Sequence, residues 1–364
     1  MTETPVAQGT LYAARPSIRI DTQEYALINE LLLGMRMTET EGGLSALELR
    51  FSNHASDTEG GADLAFEEGD ILALGKQIIL YAGDQSEPQE IFRGVITGLE
   101  IEFPESAPPE LMVLAEDAFQ RARMTRRSKT WEDKSIADIA NAVAEQVSLR
   151  PVVSGFDQTG TWVQFNESDL AFLRRLLARF DGDLQVVGEE MHVSPRSDVQ
   201  RGTVTLDMHS QLRAARVIAD LTNVVTQVTA SGWDVMAGES ITATSSGTNF
   251  GPGQGSKGKE VLSDLSSVLG EGAYHIGHLA AANQQELQAI VDSAFDQRAR
   301  RFVRAEGTAE GNPAIRVGTH VELTGLGPRF SNTYYVVRAC HRYDRVSGYM
   351  TDFEAECGFM GNGS

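Results

Sequence analysis

The residues with the most obvious capacity for chemistry are His275 and His278, an H-x-x-H pair that could share a metal ion if a third ligand joined it. Gly272 and Gly277 weaken any helix there, and no cysteine or further histidine lies near, so the pair is not read as a metal site. Cys340 and His341 are adjacent, but successive residues of a strand point to opposite faces, which parts a thiol from its base. The run from Gly251 to Lys259 has the glycines of a phosphate loop. It lacks an apolar strand before it, a GK[ST] ending and a helix directly after it, and reads as a flexible loop. With 51 Asp and Glu in the chain, no carboxylate pair singles itself out as the acid and base of a glycoside hydrolase. Trp131, Trp162 and Trp233 fall at element boundaries, where an indole commonly plugs the edge of a core. No catalytic residue, cofactor or metal is expected, and the chain is read as not an enzyme.

Composition narrows the classes further. A chain of 364 residues exceeds what one hydrophobic core usually serves, and 41% apolar with 23% charged residues is the composition of a folded protein. Thirty-one Lys and Arg against 51 Asp and Glu leave a net charge of -20, which repels phosphate backbones and anionic lipid. Direct nucleic-acid recognition is not expected. The acidity serves either solubility or an acidic channel wall that lets cargo pass. No run of about 18 apolar residues occurs, and the first 15 residues lack a basic stretch followed by an apolar one, so neither membrane insertion nor a cleaved signal is expected. Cys340 and Cys357 fall on adjacent antiparallel strands, where turn geometry sets Cys340 beside Thr351, and both are expected as reduced thiols.

Around these residues the periodicity changes three times. Residues 17–117 alternate apolar and polar positions between turn residues, the mark of half-buried strands; 31–39 and 44–52 flank Thr40-Glu41-Gly42-Gly43 as a hairpin. Ser135 can cap a helix carrying Ile136, Ile139, Ala140, Val143, Ala144 and Val147 at helical spacing. A second helix is predicted from about Asn166, with Glu167 and Asp169 in its first turn, stopping at Gly182. A short hairpin then closes a small α+β module. Strand character returns at 203–206 and 223–230. Residues 237–266, rich in Gly, Ser and Thr, are predicted to form a mobile loop. A third helix is predicted over 283–303, and residues 315–358 are β again.

The two β regions share a layout. Gly75 to Leu80, Glu90 to Ile96 and Leu111 to Glu116 run parallel to Gly318 to Leu323, Thr333 to Val337 and Thr351 to Glu356. The expected fold is therefore mainly β with an α+β insert: two antiparallel β-barrel domains related by internal duplication, plus a small helical α+β module. The expected division is an N-terminal tail over 1–16 and a first barrel over 17–118. The module follows over 119–202, then a second barrel over 203–357 carrying the loop 237–266 and the helix 283–303, and a tail over 358–364. Quasi-symmetry would follow, since three copies with two equivalent barrels present six similar surfaces.

Three segments, in order, carry a family likeness. Val225-Thr226-Gln227-Val228-Thr229-Ala230-Ser231-Gly232-Trp233-Asp234 resembles a V-T-x-V-x-x-x-G-W-D strand, and Gln164 to Leu176, with Asp169, Phe172 and Leu173, is similar to a Q-x-x-E-S-D-x-x-F-L-x-R-L segment. Gly311-Asn312-Pro313 with Gly318, Tyr335, Val337, His341, Gly348, Thr351 and Phe353 follows the same family's closing region. The family is the phage late control D hub proteins of contractile injection systems, related to the N-terminal part of VgrG spikes. The resemblance implies a homotrimeric baseplate hub between a sixfold inner tube and a threefold spike, with wedge or adaptor proteins as further partners. It implies assembly in the bacterial cytoplasm and incorporation into a virion-like or extracellular injection particle. VgrG chains continue into a spike, whereas this sequence stops at Ser364, so the spike is expected as a separate protein. The competing expectation is a tail-associated peptidoglycan or polysaccharide hydrolase. Within the loop, Thr248, Asn249, Phe250, Gly251, Pro252, Gly253 and Gln254 are the candidate docking residues, set against a solvated insertion with no partner.

Overall fold

The computed structural model describes residues 15–56, 62–67, 71–84, 86–234, 237–277, 279 and 281–362. The first β region folds as predicted from its alternation. Its strands are β1 (Ser17–Ile20), β2 (Leu32–Thr40), β3 (Ala46–Ser52), β4 (Gln77–Ala82), β5 (Gln89–Glu102) and β6 (Glu110–Glu116), ordered β2-β3-β6-β5-β4-β1 with every neighbour antiparallel. In β3, Leu47, Leu49 and Phe51 face the core while Glu48 and Arg50 face water, the period of two that a half-buried sheet demands. Gly42 and Gly43, at φ of 90° and 77°, make the β2–β3 turn that L side chains resist. Gly94 is constrained differently, by proximity. A Cβ there would lie 2.2 Å from the Glu116 carbonyl oxygen and 2.6 Å from the Phe92 ring, so Gly94→Ala is expected to destabilise the protein by about 1–3 kcal/mol. Urea unfolding checks it, through a lower midpoint at an unchanged slope.

The module that follows contains β7 (Arg126–Ser135), α1 (Ile136–Gln146), β8 (Arg150–Val153), β9 (Thr159–Ser168), α2 (Asp169–Arg179), β10 (Gly182–Val187) and β11 (Glu190–Pro195). Ser135 caps α1 through a reciprocal box with Asp138. The second helix begins later than its acidic first turn suggested. β9 runs to Ser168, whose hydroxyl accepts from Ala171 N and caps α2, so Glu167 lies in a strand. Gly182 opens β10 instead of ending a helix. The β7–β9 ribbon, with Trp131 opposite Trp162, was not legible because β7 is mostly exposed and the face β9 turns inward carries Gly160, Trp162 and Gln164 instead of an apolar row. Ile139, Val143, Phe172, Leu173, Leu176, Met191 and Val193 form the module's own core.

The second β region comprises β12 (Thr203–Asp207) and β13 (Leu212–Ala219), followed by an inserted unit. That unit contains β14 (Gln227–Asp234), β15 (Glu239–Ser245), α3 (Gly258–Asp264), β16 (Ala273–Ile276) and α4 (Gln284–Ala299). The region resumes with β17 (Val303–Glu310), β18 (His320–Thr324), β19 (Asn332–Asp344) and β20 (Gly348–Cys357). The mobile loop predicted over 237–266 is corrected here. β15 pairs with β14 and turns Ile241, Ala243 and Ser245 inward, and α3 packs Leu262 into the core. Small polar residues suggested a loop, but Thr and Ser also fill the wetted face of a strand. The third helix stops at Ala299, because the chain must straighten to enter β17. The unit's core sets Val228, Ala230, Ile241 and Ala243 against Leu287, Ile290, Val291 and Phe295 of α4.

The second set is ordered β13-β17-β20-β19-β18-β12. Its irregularities recur in the first. A bulge falls between Leu32 and Gly34 in β2 and between Leu212 and Ala214 in β13; another falls between Ile96 and Gly98 in β5 and between Val336 and Arg338 in β19. Gly75 N donates to Ile96 O and Ile96 N to Lys76 O, just as Gly318 N donates to Val336 O and Val336 N to Thr319 O. One strand departs: β12 runs parallel to β18, whereas β1 is antiparallel to β4. The sets join where residues 338–344 of β19 pair antiparallel with 34–40 of β2, giving one continuous sheet of 13 strands. That register places Cys340 opposite Asp352, with Thr351 opposite His341, one residue away from the expected pairing; both thiols are free and buried. The turn sets it, since Asp344 pairs with Gly348 and the register runs unbroken from there to Cys340.

Candidate assembly surface

The motif residues lie in three separate parts of the fold. Phe172 and Leu173 are buried in the module, and Asp169 accepts from Gln164 Nε2 at 3.0 Å and Gln146 Nε2 at 3.1 Å while pairing with Arg127 at 3.1 Å. Gly232, Trp233 and Asp234 close β14; Trp233 is 58% exposed and Asp234 Oδ1 accepts from Ala237 N. Gly318 holds φ at 89° beside Arg201 and Val199, and His341 is fully buried. The fold does not gather these residues into one cleft.

The segment 248–254 rests on its own chain. Thr248 N and Oγ1 and Asn249 N all donate to the Asp296 carboxylate of α4, Phe250 meets Phe295 edge-on at 6.0 Å, and Asn332 both accepts from Gln254 N and donates to Gln254 O. Of the H-x-x-H pair, His275 lies on β16 with Nδ1 3.0 Å from Thr229 Oγ1, and His278 lies outside the described residues. Among the described residues no cluster of three or more His, Cys, Asp or Glu side chains could hold a metal ion, and no helix is long and apolar enough to cross a membrane.

What the fold does gather is a chain of buried ions where the three units meet. Arg196, directly after β11, pairs with Glu41 of the β2–β3 turn and, at 2.9 Å, with Glu356 of β20, while its guanidinium lies over the Tyr335 ring. Arg300 reaches Asp181 with two hydrogen bonds, of 2.8 and 2.6 Å, and approaches Glu356 at 3.5 Å. Burial pushes the Glu356 carboxyl up from its ordinary value against the pull of these arginines. At the sheet junction Glu39 accepts from Arg316 Nη2 and Val317 N, both at 2.6 Å. Burial raises the Glu39 carboxyl, yet the charge and hydrogen bond of Arg316 outweigh it and hold the carboxyl low. Beside them burial, then the Arg316 charge, pushes His341 down to about 4; its Nδ1 lies 2.7 Å from the Tyr349 hydroxyl and its Nε2 has no partner. No local pattern signals these pairs, whose members, Arg300 and Glu356 apart, lie 119 to 277 residues from one another.

The outer surface offers edges and patches. Beyond Val95, β5 has a strand on one side only among the described residues; Leu99 and Ile101 there are 40% and 41% exposed, and Phe103, just past its end, is 66% exposed. β13 pairs along its length with β17 alone. Beside it a groove of about 660 Å³ interleaves Arg216, Arg301 and Arg304 with Asp220, Glu306 and Glu354.

The whole-chain fold has solved counterparts. A 43 kDa tail protein of prophage MuSo2 from Shewanella oneidensis matches with a TM-score of 0.67 at 12% identity, over 94% of this chain and 98% of that one. A tail protein from Neisseria meningitidis MC58 matches at 0.64 and 11%, over 95% and 97%. The E. coli c3393 protein, a type VI secretion component with structural similarity to the T4 bacteriophage tail proteins gp27 and gp5, matches at 0.58 and 11%, over 95% and 79%. These TM-scores, at so low an identity, show a shared fold. No curated protein sequence matches the chain. The profile of the Alg8 N-terminal domain family matches residues 56–344.

Proposed function

We propose, for a chain that belongs to the Alg8 N-terminal domain family, the role of structural hub in the baseplate of a contractile phage-tail-like injection system. Three copies form a ring that adapts a sixfold inner tube to a threefold spike, in the manner of the late control D and VgrG N-terminal proteins it resembles. The observation that carries this reading is the pair of strand sets with the same order and the same bulge positions. We read them as duplicated barrels, residues 17–118 and 203–357, separated by the module 119–202, because independent meanders have no reason to share two bulges and a ladder bond pattern. Two equivalent barrels in each of three copies give six similar faces, which lets one ring meet partners of both symmetries. The whole-chain likeness to tail proteins supports a particle component. The function then resides in interfaces with the tube, the spike and wedge proteins, and not in catalysis. The segment 248–254, braced from behind by Asp296, is the proposed docking element on the inserted unit.

Native mass measurement of the full chain tests the ring. A three-copy species at micromolar concentration is expected; a monomer that persists there, alone and with the tube and spike proteins added, overturns it.

A further inference from the structure

We infer that copies of this chain join by edge-strand addition: residues 98–104 of one copy pair antiparallel with 214–220 of the next, in the register that 338–344 and 34–40 use inside the chain. The inference rests on the ring reading and specifies its contact. β5 and β19 coincide from Ile96 and Val336 onward through the shared ladder bonds and the shared bulge, so 98–104 stand where 338–344 stand. β2 and β13 coincide from Leu32 and Leu212 onward through their own shared bulge, so 34–40 stand where 214–220 stand. Inside the chain, the end of β19 covers the edge of β2. That leaves the end of β5 and the edge of β13 as equivalent halves of the same joint, with no strand on them among the described residues. They are two different patches, so only another copy can match them in sequence around a ring.

The side chains agree with the register. Ala339, His341 and Tyr343 are buried at the internal joint, whereas their counterparts Leu99, Ile101 and Phe103 stand exposed on an open strand edge, an arrangement that invites pairing with another chain. Carried over, the internal pairs His341↔Met37 and Tyr343↔Met35 become Ile101 opposite Val217 and Phe103 opposite Ala215, apolar against apolar. The pair Arg342↔Arg36 becomes Glu102 opposite Arg216, a favourable cross-strand pair of opposite charge.

Cysteine cross-linking of the full chain tests the pairing. Under mild oxidation Ile101→Cys with Val217→Cys, both in one chain, is expected to yield covalent multimers up to the full ring. Leu99→Cys with Ala215→Cys, four residues out of register, is expected to yield none. Cys340 and Cys357 are buried and do not compete. Independently, Glu102→Arg is expected to weaken assembly roughly three- to fivefold, with Arg216→Glu restoring it. A ring of native mass that neither cysteine pair links overturns the pairing and leaves the ring; linking by the out-of-register pair overturns the register. A chain that forms no oligomer under any condition overturns the ring reading and this joint with it.

Discussion

Replacing Arg196 with alanine is expected to lower stability by about 3–5 kcal/mol, among the largest single-residue losses this chain can show. The side chain is 3% exposed and belongs to the module, yet its two carboxylate partners belong to the two strand sets, Glu41 in the first and Glu356 in the second. Truncation leaves the buried Glu356 carboxylate in low-dielectric surroundings with less positive charge, where burial already pushes it up, and takes a partner from the more exposed Glu41. It also uncovers the Tyr335 ring over which the guanidinium lies. Arg196→Lys is expected to recover only part of the loss, because one ammonium cannot serve two carboxylates in the fork geometry that guanidinium provides. Urea unfolding of both variants checks the ranking. If Arg196→Ala lies within 1 kcal/mol of the parent, the junction is not held by these ions. Pairing Arg196→Ala with Glu356→Gln should give losses well short of additive, since each removes the same contact.

The second large effect is on acid stability. His341 is buried and neutral, with a folded value of about 4 against the ordinary 6.5. A base depressed in the fold contributes stability that is complete above pH 6.5 and is lost as pH falls through 6.5 toward 4, roughly 3 kcal/mol in all. Asp117 works in the opposite direction. Burial raises its carboxyl to about 6 even though Ser45 N and Phe119 N donate to it, so its neutral form suits the fold and its contribution grows as pH falls from 6 toward 3.8. In the parent the two slopes largely offset each other between pH 6 and 4. His341→Asn, which keeps an acceptor for the Tyr349 hydroxyl, should therefore gain stability relative to the parent on moving from pH 7 to 4.5. Asp117→Asn should lose it. Urea midpoints across that range check both signs, and parallel curves for all three proteins would refute the assignment.

Much of the architecture was open to reading before any coordinates. The alternation in residues 46–52 and 110–116, the helical spacing after Ser135 and the repeated layout of the two β regions each arise from short-range periodicity, which a sequence displays directly. Three things were not legible. The β7–β9 ribbon turns Gly160, Trp162 and Gln164 inward, a mixed row that does not read as an apolar face. β15 hides in Ser and Thr. The start of α2 depends on Ser168 and not on Asn166, because Asn166 adopts a φ of 50° at which no helix begins.

The motif residues were found from sequence, but their roles proved to be separate pieces of local packing, with Asp169 tied to Gln146 and Arg127 and Gly318 fitted against Arg201. The sequence by itself determined the mainly β class, the repeated layout and a net charge of -20, all properties of neighbouring residues or of simple sums. Only the tertiary structure decided which edges were spent and which were left open. The joint of β19 with β2 and the ion pairs of Arg196 bring together residues more than a hundred positions apart, and a contact across that separation is fixed by how whole sheets close, which no local pattern encodes.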